Sequence, residues 1–370
     1  MKKIGLYIHI PFRIYKINHR HVVCYYNKDF YIKDYFNFLK KELIMRKDDN
    51  FLIDSIYIGG GDPSSMDSDY IVDVLETVKE NYNIDEDCEI TIEINPILPD
   101  YRIKNYIRNG INRFSIKAFT FSKKGLSDLG IYHDKYDIRN MIKLLRLNGA
   151  DNINIDMYFM YPGQSMRDLK GDLKEVLRLN FPHISYYAYG SDDDLVSELI
   201  ESNNAIDYEN LQSDMLELIS STLIKAGYDH YEINHFEKNN SRSHHNLKYW
   251  NLDEYLAVGL GSSGFINKEL YRNITDLEEY FKKIKNGELP YLEMERLSEE
   301  EIEKNYIISK MGLKEGIDIN EINKRFNIDF LNKYKNQIEK NKEILEIQNN
   351  NIKFTENGMY YSNEFYVDII

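Results

Sequence analysis

The chain has only two cysteines, Cys24 and Cys88, in 370 residues. No disulfide framework can hold it together, and a reducing compartment is expected. It has no apolar run near the ~18 residues that a membrane span needs. Met1-Lys2-Lys3 leads into a short strand-like run, not the long apolar segment of a signal peptide. The expectation is a cytoplasmic protein with no membrane span. Positive charge is in deficit: 47 Lys+Arg against 61 Asp+Glu leave −14. That balance argues against a broad phosphate-binding surface, and so against nucleic acid as a partner. Apolar residues are plentiful, at 42% beside 29% charged, enough to bury a core and exclude a disordered chain.

Short β-rich runs recur at Ile4–Ile10, Ser55–Ile58, Glu89–Ile94, Arg113–Phe119, Ile153–Met160, His183–Tyr189 and His230–Ile233. Several are apolar on both faces, as strands of a helix-covered parallel sheet must be. Amphipathic patterns such as Tyr31–Met45 and Tyr70–Tyr82 lie between them. Strand, helix, strand in alternation means repeated βαβ units. Six units predict an α/β fold, an incomplete (β/α)6 TIM-like barrel, over residues 1–287. After Gly287 the character changes. Ser298 before Glu299-Glu300-Glu301 reads as an N-cap with acids in the first turn. Helices over Leu297–Met311, Ile319–Phe326 and Asp329–Asn341, then a hairpin turning at Asn349-Asn350-Asn351, predict a small winged-helix-like domain over 288–370. Residues 296–370 carry 11 Lys+Arg and 14 Asp+Glu, so domain packing is a better reading of this module than DNA contact.

Three features carry chemistry. Gly59-Gly60-Gly61-Asp62 follows an apolar strand, at the end where parallel barrels bind ligands. Glu93 and Asp156 interrupt apolar strands. A carboxylate there either faces a ligand or is satisfied by backbone or by a lysine. His244-His245-Asn246-Leu247-Lys248-Tyr249-Trp250 gathers two imidazoles, an amide, a phenol and the single tryptophan, just before the glycine-rich turn Gly259–Gly264. Imidazole is a common haem ligand, and aromatic rings supply flat apolar walls.

Tyr7-Ile8-His9-Ile10-Pro11-Phe12, the glycine loop, Ile92-Glu93-Ile94-Asn95-Pro96, Gly110–Ile116, Asp156 with Pro162-Gly163-Gln164-Ser165, Tyr231-Glu232-Ile233 and His245–Trp250 occur in a telling order. Together they resemble the oxygen-independent coproporphyrinogen III oxidase group of radical S-adenosylmethionine enzymes. Within that group the chain is most similar to the HemW-type haem chaperones. The resemblance implies a nucleotide pocket of Tyr7, Gly59, Gly60, Gly61, Asp62, Glu93 and Asp156. It also implies haem binding through the HNxxYW residues His245, Asn246, Tyr249 and Trp250. The other reading of HNxxYW is structural, a clasp between the barrel's end and the C-terminal module.

The departures from that family decide the expected function. Its CxxxCxxC thiolates would fall at Arg13, Ile17 and Arg20, none of which ligates iron as a thiolate does. Cys24 alone cannot hold a cubane cluster. A [4Fe–4S] cluster is not expected, and without its electron the radical reaction has no chemical basis. Phe119 stands where the family has a Gln, Ile131 where it has an Arg, Met160 where it has a Gly, and Asp62 where it has a Thr. Losing a charge-assisted contact costs about 1.5–3 kcal/mol, so S-adenosylmethionine binding is expected to be weak or absent. The leading expectation is a haem-binding protein that delivers haem to a recipient protein, without catalysis. The alternatives are a non-catalytic scaffold that binds a protein partner, and an enzyme with new acid–base chemistry at Asp62, Glu93 and His133.

Overall fold

In the computed structural model, residues 1–13, 23–189, 205–356 and 358–369 are described. The positions Ile17 and Arg20 lie outside them. The apolar runs form β1 (Lys2–Ile10), the short β2 (Phe12–Arg13) and β3 (Tyr25–Tyr26), β4 (Phe51–Gly60), β5 (Asn83–Ile94), β6 (Arg113–Phe119), β7 (Ile153–Phe159) and β8 (His183–Ala188). Shorter strands follow: β9 (Asp229–Glu232), β10 (His235–Glu237), β11 (Tyr255–Val258), β12 (Ser263–Ile266), β13 (Glu269–Asn273) and β14 (Tyr291–Arg296).

One sheet takes the order β14-β13-β12-β11-β1-β4-β5-β6-β7-β8-β10-β9. Its centre, β1-β4-β5-β6-β7-β8, is parallel throughout. This is the expected six-unit partial barrel. Crossover helices Ile32–Met45, Ser68–Asn81, Asp100–Arg108, Lys135–Leu147 and Met166–Leu179 cover its outer face. Three of the five starts are fixed by side-chain caps: Asp67 accepts from Asp69 N–H, and Asp134/Asp137 and Ser165/Asp168 form capping boxes. The strands are buried on both faces, as in β7, where only Tyr158 is not fully buried. The expected strand at His230–Ile233 is β9. It belongs to an antiparallel edge hairpin with β10, not to a parallel unit.

Two features differ from the sequence pattern. Strand β14 lies beyond the 287/288 boundary yet pairs with β13 in the large sheet. It is an edge strand carrying Glu293, Glu295 and Arg296, five of its six residues are exposed, and so it has no apolar signature to read. The expected third helix is two short ones, Phe330–Lys333 and Lys335–Lys340, parted at Tyr334, whose ψ of 20° departs from helical values. A second apolar core, including Tyr306, Ile307, Ile322, Phe330 and Phe365, gathers helices Glu299–Met311, Ile319–Phe326 and Ser362–Ile369 around the small sheet β15 (Ile317–Asp318), β17 (Asn351–Phe354), β16 (Leu345–Gln348). Among the described residues, no helix is long and apolar enough to cross a membrane.

Candidate functional site

The barrel's interior carries a column of polar side chains. At its mouth, Glu93 ends β5 and Asp156 lies in β7, with β6 between them. The register sets Glu93 beside Ser115 and Lys117 beside Asp156. The Lys117 ammonium therefore lies between the carboxylates, 2.8 Å from Glu93 Oε1 and 3.4 Å from Asp156 Oδ2. Tyr57 OH donates to Glu93 Oε1 at 3.0 Å and Gly60 N–H to Oε2 at 3.2 Å. Asp156 accepts from Ser115 Oγ at 2.8 Å and Asn154 Nδ2 at 2.7 Å. Burial opposes all these charges. The ammonium and hydrogen bonds nonetheless hold the Asp156 carboxyl below its usual range, and the two carboxylates hold Lys117 well above its own. Below Asp156 the network continues. His183 Nδ1 bonds to Asn154 Oδ1 at 2.6 Å, His183 Nε2 to Tyr231 OH at 2.8 Å, and Tyr187 OH to His235 Nε2 at 2.8 Å. His235 Nδ1 in turn lies against the Glu232 carboxylate.

The glycine loop packs against protein. A Cβ on Gly59 would sit 2.9 Å from the Tyr57 ring and 3.2 Å from the Glu93 carboxyl carbon. One on Gly60 would meet His9 at 2.7 Å, and one on Gly61 the Phe12 carbonyl oxygen at 2.6 Å. Gly61 N–H and Asp62 N–H donate to the carbonyls of Ile10 and Phe12. Gly60 and Gly61 therefore serve close approach to β1 and β2, and Gly59 leaves room for Tyr57 and Glu93. Asp62 accepts from Ser64 Oγ at 2.8 Å and Asn95 Nδ2 at 3.4 Å. Tyr7 OH bonds to His9 Nδ1 at 3.0 Å, and His9 Nε2 to the Val23 carbonyl at 2.9 Å. Burial brings the His9 ring down to about 4.

Beside this column, Phe119 and Ile131, where the resemblance implies a Gln and an Arg, lie in apolar surroundings. Phe119, Leu126, Leu129, Ile131, Tyr161 and Tyr189 form a small core of their own. Phe119 stacks on Tyr158 with ring centroids 4.6 Å apart. Phe119 and Met160 hold φ of 65° and 63°, values that favour glycine. His133 is buried, its Nε2 bonded to the Ala118 carbonyl at 3.0 Å. The structure does not gather Asp62, Glu93 and His133 into one acid–base group: each is engaged by its own neighbours.

At the opposite end, helix His244–Trp250 closes the barrel floor. His245 is 0% exposed. Its Nδ1 bonds to Ser55 Oγ at 3.0 Å and its Nε2 to Tyr249 OH at 2.9 Å. Rings of Tyr7 and Tyr57 flank it, and burial pushes it down to about 3. Asn246 lines a small polar cavity with Arg113, Asp156, His183 and His235. Trp250 reaches the C-terminal module, where a Cβ on Gly312 would come within 2.2 Å of its ring. His244 is exposed, whereas the other described histidines are buried. Sequence reading singled out His245, Tyr7, Glu93 and Asp156 and missed Lys117 and Tyr57, which join them into one column. A lysine in the apolar run Arg113–Phe119, flanked by two strands that each carry a lone carboxylate, is the signal that could have found Lys117.

Where the resemblance places the first cluster thiolate, Arg13 is 8% exposed. Its Nη2 donates to Cys24 Sγ at 2.7 Å. Among the described residues, no group of three His, Cys, Asp or Glu side chains is placed to hold a metal ion. One thiol beside a guanidinium does not fit an iron–sulfur cluster. A pocket whose carboxylates already hold an ammonium does not fit S-adenosylmethionine, which is itself a cation.

Residues 22–176 match the profile of the Radical SAM superfamily. The haem chaperone HemW of Buchnera aphidicola subsp. Schizaphis graminum is 34% identical over 281 residues, covering 73% of each chain. That of Lactococcus lactis is 29% identical over 322 residues, 84% of this chain and 83% of its own. The coproporphyrinogen III oxidase HemN of Escherichia coli superposes with a TM-score of 0.86 over 100% of this chain and 90% of its own, at 17% identity. That last likeness is one of fold.

Proposed function

Because the chain belongs to the HemW family of haem chaperones, within the radical SAM superfamily, we propose that it binds haem and passes it to a recipient protein without an iron–sulfur cluster and without radical catalysis. The observation that carries the cluster-free reading is the buried Arg13 guanidinium on Cys24, a cation where the family's first thiolate belongs. Iron bound by thiolates carries the opposite requirement: an anionic, cysteine-lined cradle. Haem carriage itself rests on the relatives named as haem chaperones. In this reading Tyr7, Gly59, Gly60, Gly61, Asp62, Glu93 and Asp156 are the vestige of a nucleotide pocket, and the carrier works in the cytoplasm. We keep the division into a barrel and a C-terminal module. We place its boundary near Leu297, since β14 pairs within the large sheet.

The haem site is assigned to helix His244–Trp250. With the helix closed, both ring nitrogens of His245 are hydrogen-bonded, so iron reaches it only if the helix lifts from the floor, taking Asn246, Tyr249 and Trp250 with it. His244 is available without that step. The test is a hemin titration of the full chain, following the Soret band and Trp250 fluorescence. Wild type, His244→Ala and His245→Ala are compared. Saturable one-to-one binding lost in His244→Ala supports the closed-helix site. Loss in His245→Ala, with Trp250 emission changing on binding, supports the lifted helix. Unsaturable binding, equal in all three, overturns haem carriage. That result would favour the scaffold reading; the Trp250–Gly312 contact supports a clasp between the barrel's end and the C-terminal module as the motif's task.

A further inference from the structure

We propose that the barrel mouth is a binding site for an organic cation and that Lys117 is its tethered occupant. The ammonium sits where a free ligand's charged head would, between Glu93 Oε1 at 2.8 Å and Asp156 Oδ2 at 3.4 Å. This deepens the vestigial-pocket reading given above and rests on it.

The surroundings are those of a built site. The two carboxylate side chains are 10% and 5% exposed, while the Lys117 side chain remains 29% exposed. The Lys117 side chain is thus the most exposed member of the group. Both carboxylates are oriented by fixed donors. Tyr57 OH and Gly60 N–H hold Glu93, and Ser115 and Asn154 hold Asp156. Two buried carboxylates facing one site from the strands on either side of a third repel unless a cation lies between them. Lys117 meets that need from the strand between them, with no ligand required. A lysine stem is long and unbranched, so its trimethylene segment lies along the path that a ligand's chain would take. Burial opposes the charge on Lys117, yet the two carboxylates outweigh it, consistent with a site shaped for a permanent cation. Next to it, Phe119 stacked on Tyr158 supplies an apolar wall.

The consequence is testable by excising the tether. Lys117→Ala removes a propylammonium fragment and leaves its space; Lys117→Met removes the charge and keeps the space filled. Thermal melts of the full-length variants are followed by circular dichroism, with n-propylammonium chloride, n-propanol or sodium chloride added at equal concentration. Lys117→Ala is expected to melt on the order of 5–10 °C lower than wild type and to regain most of that loss with n-propylammonium alone. Lys117→Met is expected to be destabilised without rescue. Equilibrium dialysis of labelled S-adenosylmethionine, a larger cation, is expected to give retention by Lys117→Ala and none by wild type. Rescue by n-propylammonium without that retention supports the site and limits its ligands to small ammonium ions. The proposal is overturned if Lys117→Ala melts like wild type, if n-propylammonium restores nothing, if Lys117→Met responds equally, or if wild type retains the labelled compound. Should Lys117→Ala be recovered unfolded, refolding from urea with and without n-propylammonium makes the same decision. Hemin titration of these variants is a separate reading: loss of hemin saturation with intact rescue counts against haem carriage alone.

Discussion

Glu42 is the residue on which the joint between the barrel's first unit and its edge depends. It is 0% exposed, and four donors meet its carboxylate: Arg46 Nε at 2.8 Å, Asn273 Nδ2 at 2.8 Å, Tyr280 OH at 2.7 Å and Gly259 N–H at 2.9 Å. Arg46 lies 4.5 Å and 4.8 Å from the ring centres of Tyr271 and Tyr291. A buried pair with every lone pair used is tolerated, but removing one partner strands the other. Glu42→Gln is expected to cost about 3 kcal/mol in urea unfolding, at the low end of the cost of breaking a buried pair. A cost below about 1 kcal/mol would mean that the two tyrosine rings and Asn273 satisfy Arg46 by themselves. Nothing in the sequence announced Glu42. It sits in an amphipathic helix where a glutamate reads as solvent-facing, and three of its four partners are more than two hundred residues away. Glu93 and Asp156 were legible because a carboxylate inside an apolar strand has no inexpensive explanation. The structure gives both carboxylates the Lys117 ammonium as a partner, and Glu93 the Gly60 N–H as well.

Elements were legible wherever local chemistry sets them. The capping box Ser298/Glu301 starts the helix Glu299–Met311 where the run of acids predicts it. The hairpin β16–β17 turns on Asn349 and Asn350, at φ of 51° and 67°, the left-handed pair that a two-residue hairpin needs. The charged edge β14 and the break at Tyr334 were not legible, because each is set by tertiary pairing and not by periodicity. The hairpin between β12 and β13 uses the same geometry with less suitable residues: Asn267 has φ of 53° and Lys268 φ of 67°. A lysine in the left-handed region costs roughly 1 kcal/mol that glycine does not. Its ion pair with Glu299 is largely exposed and contributes little. Lys268→Gly is therefore expected to raise stability by about 0.5–1 kcal/mol, read as a higher urea midpoint at unchanged slope. A lower midpoint would show that the tie to the C-terminal module at Glu299 outweighs the backbone strain.

Across the whole molecule, the histidines set the response to acid. Burial is the largest cause in each of five downward shifts: His9 to about 4, His245 to about 3, and His133, His183 and His230 in the same direction. Each is held neutral in the fold but takes up a proton near pH 6.5 when unfolded. Their contribution to stability is therefore fully present above about pH 6.5 and is lost as pH falls towards the folded-state values. Asp172 works in the opposite sense. Burial raises it to about 7 despite hydrogen bonds from Thr120 and Phe121. Its contribution is present below about pH 4 and is lost as pH rises through 7. Near pH 5 the unfolded chain binds up to five more protons at the histidines and one fewer at Asp172. The net slope is then at most about 5 kcal/mol per pH unit, and stability falls with acid. Melting temperatures taken at intervals from pH 8 to pH 5 are expected to be nearly level above pH 7 and to drop steeply below pH 6. A flat profile to pH 5 would mean that the buried rings accept protons without opening the barrel. His245 gives that drop a place in the fold. Protonating it makes both ring nitrogens donors, so the Ser55 and Tyr249 hydroxyls must both turn to accept, and it places a charge in a fully buried site with no carboxylate among the ring's hydrogen-bond partners. Helix His244–Trp250 is thus the element expected to lift first, and a change in Trp250 emission ahead of the main acid transition is the measurement that checks it.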